Sequence, residues 1–173
     1  MQLILVYDGV IPSARQRKSR EIAHIRQCLS AQVRGFVDSV WQKGLDPTYH
    51  ARQVGSRTYE FVIGSALRNV ADVDVLLLTP PGRPSPGDID NRLKALTDAL
   101  ACPSSEQADG AEEGDDGLIC VLQDDRLIHR RAVTERTRFG QPPNSRASLA
   151  VITVTILNDP EARSSYGGAV LAQ

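Results

Sequence analysis

Between Asp72 and Leu78 the chain reads DVDVLLL, and between Leu149 and Leu157 it reads LAVITVTIL. These are the longest mostly apolar stretches, and both fall far short of the roughly 18 residues a membrane helix requires. The chain therefore has to fold around strands in water. The first run, nearly continuous, suits a central, buried strand, and the second alternates Val and Ile with Thr over part of its length. Strands of this kind need helices to cover them. Ile22, Ile25, Leu29, Val33, Phe36 and Val40 step by three or four, which predicts one amphipathic helix or two over Ala14 to about Trp41, ended by Gly44 and Pro47. Ile89, Leu93, Leu96 and Leu100 form a second stripe and predict a helix over Asp88 to Ala101.

Three further runs read as strands: Gln2 to Tyr7, Tyr59 to Ile63 and Leu118 to Leu122. Leu127 to Thr137 reads as another, joined to Leu118–Leu122 by a tight QDDR connection in which Asp suits the turn. The order strand, helix, two strands, helix, three strands argues for an α+β fold, a mixed sheet with helices packed on it. At 173 residues this is one domain, placed at 1–160, with 161–173 as a loose C-terminal tail. The segment 103–117, PSSEQADGAEEGDDG, has no aromatic or β-branched residue and reads as a flexible acidic insertion. The start, MQLILVYDG, lacks a basic n-region, so it reads as a strand rather than a signal peptide. Cys28, Cys102 and Cys120 are odd in number and lack C-x-x-C spacing, which predicts reduced thiols in a cytoplasmic protein.

The formal net charge of −1 averages over opposed segments. The insertion holds six carboxylates and no Lys or Arg, so the rest of the chain carries +5. Arg15, Arg17, Lys18, Arg20, Arg26 and Arg34 form one basic run, and Arg126, Arg130, Arg131, Arg136 and Arg138 a second. Arginines meet phosphates by bidentate hydrogen bonds and counterion release, although solvated helix and strand faces also look like this.

GDIDNRLKALTDAL is the most informative segment. Two carboxylates at i, i+2 inside a helix point about 200° apart. With Asp88 as N-cap after Pro-Gly, Asp88 and Asp90 converge at the helix start. Asp90, Lys94 and Asp98 then lie one turn apart on a face away from the leucines, with Asn91 placed to hydrogen-bond a carboxylate or the loop. Taken alone, Asp88 and Asp90 also serve as cap and macrodipole residues, and Asp124–Asp125 as turn residues. D-x-D occurs in sugar-nucleotide transferases too, which need a larger domain. Two carboxylate clusters together with two Arg-rich stretches supply what metal-dependent phosphodiester cleavage requires: hard oxygen ligands for Mg²⁺ and cations for the polyanion. His24, His50 and His129 are isolated and read as structural or exposed.

GDIDNRLKALTDAL followed by LQDDRLI resembles the RusA-type Holliday junction resolvases. Their signature is an Asp-x-Asp-Asn helix start, a Lys four residues later, an Asp-Ala-Leu, and then an Asp-Asp pair on a hairpin. Here these are Asp88, Asp90, Asn91, Lys94, Asp98-Ala99-Leu100 and Asp124-Asp125, and the resemblance spans roughly Ala71 to Phe139. It implies a homodimeric, Mg²⁺-dependent (or Mn²⁺-dependent) endodeoxyribonuclease that cuts branched DNA such as a four-way junction, without an organic cofactor or a membrane. In this scheme Asp88, Asp90 and Asp125 bind metal, with Asp124 as a further candidate, and Lys94 assists catalysis. Asn91 and Asp98 support the site. Arg15, Arg17, Lys18, Arg20, Arg130 and Arg131 are the candidate DNA contacts. The alternative is a branched-DNA-binding protein of the same fold without catalysis.

Overall fold

Period-two alternation decides the larger sheet. In the computed structural model, which describes residues 1–12, 19–40, 47–81, 89–108, 117–142 and 145–159, β1 (Gln2–Gly9) buries Leu3, Leu5 and Tyr7 and exposes Ile4 and Val6. β4 (Asn69–Thr79) buries Ala71, Val73, Val75 and Leu77 on the same face, and β7 (Ser148–Asn158) adds Ala150, Ile152 and Val154. With β6 (Ile128–Thr137) these strands form a sheet in the order β1-β7-β4-β6. β7 is antiparallel to both of its neighbours, and β4 and β6 are parallel. A smaller sheet, β2-β3-β5, is built from β2 (Ala51–Val54), β3 (Arg57–Ile63) and β5 (Ile119–Leu122). β2 and β3 form a hairpin whose turn passes through Gly55 at φ 61°, a left-handed conformation that favours glycine. β5 is parallel to β3.

The helices cover one face of the larger sheet. α1 (Ser19–Val40) presents the expected stripe: Ile25, Leu29 and Val33 are fully buried, and Ile22 and Phe36 pack against the same core. Each fully buried aliphatic side chain stabilises the fold by roughly 1.5–3 kcal/mol. α1 also reaches the smaller sheet, where the buried Ser30 hydroxyl accepts the backbone N–H of Ile119 at 2.9 Å, a strand donor that would otherwise lack a partner. α2 (Ile89–Leu100) buries more than the stripe Leu96 and Leu100, because Arg92, Ala95, Thr97 and Ala99 are covered too. A second cluster, Val54, Tyr59, Phe61, Cys102 and Cys120, fills the smaller sheet. The mixed α+β architecture is as the element order implied. No helix among the described residues is long and apolar enough to cross a membrane.

Four expectations are corrected. β4 is central, between β7 and β6, but only one of its faces is covered: Leu76 is 39% exposed on the other, beside Asp72 and Asp74. Those two aspartates at alternate positions were the signal of an open face. β2 went unread, since ARQV carries little hydrophobicity. The QDDR connection is not a hairpin. β5 pairs with β3 and β6 with β4, so the chain crosses from one sheet to the other through a 3₁₀ turn at Asp125–Leu127. The first part of the segment read as a flexible insertion is ordered, since Pro103 is buried and Ser105–Ala108 form a one-turn helix, α3. There the Ser104 N–H donates to Gln107 Oε1 at 3.2 Å and the Gln107 N–H to Ser104 Oγ at 3.4 Å, a reciprocal cap written in the sequence as S-x-x-Q. Residues 109–116 and the tail 161–173 lie outside the described residues.

Candidate active site

α2 runs antiparallel to β6 across its covered face. Near one end, Arg92 Nη1 lies 3.7 Å from Glu135 Oε1. Toward the other end Asp98 is in the field of Arg131. This orientation follows from the chain: β4 ends at Thr79, and the helix that follows must return over the strand parallel to it. Asp90, Lys94 and Asp98 share one helix face, Asp90 exposed in the first turn, Lys94 exposed, Asp98 half-buried. At 1.5 Å per residue, Asp90 and Asp98 are about 12 Å apart along the axis and Lys94 is about 6 Å from each.

The 3₁₀ turn brings the second acidic pair to the Asp98 end. Asp124 is extended, and its Oδ1 accepts the backbone N–H of Arg126 at 3.0 Å, which starts the turn. Arg131 holds the next residue: its Nη2 donates to the Asp125 carbonyl at 3.1 Å and lies 3.7 Å from the Asp125 carboxylate. Asp125, Lys94, Arg131 and Arg26 therefore all act on Asp98. Burial is the main cause that holds the Asp98 carboxyl above the ordinary carboxylate range; Asp125 adds to it, and Lys94, Arg26 and Arg131 oppose it.

Of the expected site residues, Asp88, Arg15, Arg17 and Lys18 lie outside the described residues. Arg20 is exposed in the first turn of α1, and Asn91 is partly buried in the first turn of α2. Arg130 and Arg131, adjacent in sequence, face opposite sides of the sheet. A register shift at Ala71/Asp72 puts His129 and Arg130 both beside Asp72. Arg130 Nη2 pairs with Asp74 at 2.7 Å and its Nε with Asp72 at 3.3 Å, on the uncovered face. His129 is exposed but not isolated, its Nδ1 lying 3.2 Å from Asp72.

Sequence reasoning missed two buried cations. Arg26 is 2% exposed and donates from Nε to the Ala101 carbonyl at 3.0 Å and from Nη2 to the Asp98 carbonyl at 2.9 Å. It faces inward and caps the end of α2, whereas Arg20 and Arg34 of the same basic run are exposed. The signal was its spacing: Ile22, Arg26, Leu29 and Val33 are themselves a helical stripe. Arg92, between Ile89 and Leu96, occupies the same kind of position on α2 and pairs with Glu135.

Asp98 and Asp125 in each other's field, with Asp90 on the same helix face, are hard oxygen donors of the type Mg²⁺ uses, and Mg²⁺ needs only one or two carboxylates with its remaining positions taken by water or phosphate. In donor chemistry the residues fit that ion. Among the described residues no three His, Cys, Asp or Glu side chains are grouped to hold a metal. No protein-family model and no curated protein sequence matches the chain.

Proposed function

We propose that the protein is a RusA-like, Mg²⁺-dependent endodeoxyribonuclease that cleaves branched DNA by metal-assisted phosphodiester hydrolysis and works as a homodimer. The observation that carries the reading is the approach of two acidic motifs distant in sequence: the Asp124–Asp125 turn lies at the Asp98 end of α2, where Asp125, Lys94 and Arg131 all act on Asp98 and Arg131 holds the Asp125 carbonyl. Asp98 and Asp125, in each other's field, would hold Mg²⁺, which when bound would lower the pKa of a water and neutralise charge on the phosphate. Asp90, which the resemblance assigns to the same ion together with Asp88, belongs to the helix start, about 12 Å from Asp98 along the axis. Lys94 is exposed on the same face and meets the negative charge that develops on the phosphate or its leaving oxygen. Arg131 orients Asp125 through the carbonyl and carboxylate contacts. Arg26, bonded to the backbone at Asp98 and Ala101, keeps the end of α2 in register with the turn. The free thiols Cys28, Cys102 and Cys120 accord with a reducing cytoplasm.

Incubation with a four-way junction, a flap and linear duplex, with and without Mg²⁺, tests the proposal. The expected result is Mg²⁺-dependent cutting of the branched substrates in preference to duplex. Binding of the junction without cutting in Mg²⁺ would leave the non-catalytic alternative, and no binding at all would remove both. Asp125→Asn keeps size and the backbone contact from Arg131 but removes an anionic donor. Cleavage by this variant should collapse while junction binding survives.

A further inference from the structure

The alternation that fills the core from β1, β7 and β4 also lines the other face of the same sheet with aliphatic side chains. In register, Val6 lies beside Val151 and Val151 beside Leu76, and in the next row Leu149 lies beside Leu78. Ile4, two residues before Val6, is 66% exposed, Val6 and Leu76 are exposed, and Leu78, Val151 and Leu149 are partly exposed although their strands are central. The helices lie on the opposite side. Among the described residues no element covers this face, and a contiguous apolar area of this kind marks an interaction surface.

Its charges say what fits there. Arg130 is held by Asp72 and Asp74, and Arg138 grips Asp8 with two bonds of 2.7 and 2.8 Å. With Arg136, which shares their place in the alternation, the face carries three carboxylates and three guanidiniums. A face without excess positive charge is not built for a polyanion. It meets a copy of itself without opposing like charges, as a two-fold interface requires. The edges of the sheet suit a second copy less well. At β1 the Gln32 side chain already occupies Val6, accepting its N–H at 2.9 Å and donating to its carbonyl at 2.8 Å, and the β6 edge is rich in charge, with His129, Arg130, Arg131, Glu135 and Arg136. Four strands about 4.8 Å apart and eight residues at about 3.4 Å make a face of roughly 500 Å². Two stacked copies would cover about 1,000 Å² before side-chain relief is counted, the area a specific interface needs.

We propose that the open face of the β1-β7-β4-β6 sheet is the surface on which a second copy of this chain docks, sheet against sheet. The inference rests on the homodimer of the nuclease reading and deepens it by naming the partner surface; Asp98, Lys94 and Asp125, on the helix side, stay clear of it. The test is sedimentation velocity of the full chain without DNA at about 10 μM, a concentration at which an interface of this size is populated. The parent should be a dimer. Ile4→Lys and Leu76→Lys should each weaken it about a hundredfold or more, because two-fold symmetry buries every added charge twice. Tyr49→Lys, at a residue exposed just ahead of β2, should leave it unchanged. Far-UV circular dichroism identifies the folded variants; should either lysine variant fail to fold, Ile4→Thr and Leu76→Thr, which keep strand propensity, should still weaken the dimer about tenfold. A parent that stays monomeric overturns the proposal and leaves the face to a different protein or to residues 161–173 of the same chain. Folded lysine or threonine variants that dimerise like the parent overturn it as well, and place the second copy elsewhere. Since no DNA is present, a chain that dimerises through this face but never cuts a junction loses the nuclease reading alone.

Discussion

Asp98 has a native-state pKa above its unfolded value of about 3.9. The native state therefore holds this proton more firmly, and the group's contribution to stability falls as pH rises through that window. Asp98→Asn removes the ionisation, so the variant should be more stable than the parent at neutral pH, with the difference closing as pH falls below about 3.9. Urea unfolding across this range checks it, and a variant less stable than the parent at neutral pH would mean that the ion pairs with Lys94, Arg26 and Arg131 outweigh burial. Arg26 gives a larger effect. Arg26→Met keeps the stem but leaves the carbonyls of Asp98 and Ala101 without their donor, which should cost about 3 kcal/mol. The same measurement on Arg126→Ala, whose side chain is 90% exposed, should read within about 0.5 kcal/mol of the parent.

At the scale of the element, the register shift in β6 sorts two neighbouring arginines. Arg131 reaches the Asp125 turn on the covered face, and Arg130 is engaged by Asp72 and Asp74 on the open one. Arg131→Ala should lower cleavage about tenfold or more, because Asp125 loses the group that orients it. Arg130→Ala should change cleavage by less than about threefold, a surface ion pair being worth under about 1 kcal/mol. Equal losses in the two variants would mean that both arginines touch DNA. Alternation alone assigns such residues to faces only while the register is unbroken, and the one-residue shift at Ala71/Asp72 is what sequence periodicity does not report.

For the whole molecule, a four-way junction has a two-fold axis and needs two nicks, which a C₂ dimer with one site per subunit supplies. Sedimentation should show a dimer at micromolar concentration, and monomer alone with and without junction would count against it. The acidic segment 109–116 joins α3 to Gly117, whose backbone is held by Thr58 and Arg34. Replacing 109–116 with a glycine bridge removes five carboxylates and keeps both anchors. Stability should stay within about 0.5 kcal/mol, since the segment's composition offers no large apolar side chain to bury. If the segment repels phosphate, junction affinity should rise at low salt, the gain disappearing near 1 M, where the Debye length is about 3 Å. Unchanged affinity at every salt concentration would make it a tolerated loop.

The elements themselves were legible from local chemistry. The Ile25–Leu29–Val33 spacing is a helix wherever it packs, and Leu149–Leu157 alternates as a strand whatever its partners. The helix start near Ile89, the row of Asp90, Lys94 and Asp98, and the composition of the acidic segment were readable for the same reason, because each depends on residues within a few turns. What lay beyond the sequence depends on pairing across distance. That β5 and β6 belong to different sheets, that β4 leaves one face open, that Arg26 turns inward to cap α2, and that Asp125 meets Asp98 are all decided by which strands exchange backbone hydrogen bonds. Local sequence leaves many such pairings open, and the shared burial of Leu96, Val73, Ile152 and Leu29 in one core selects among them.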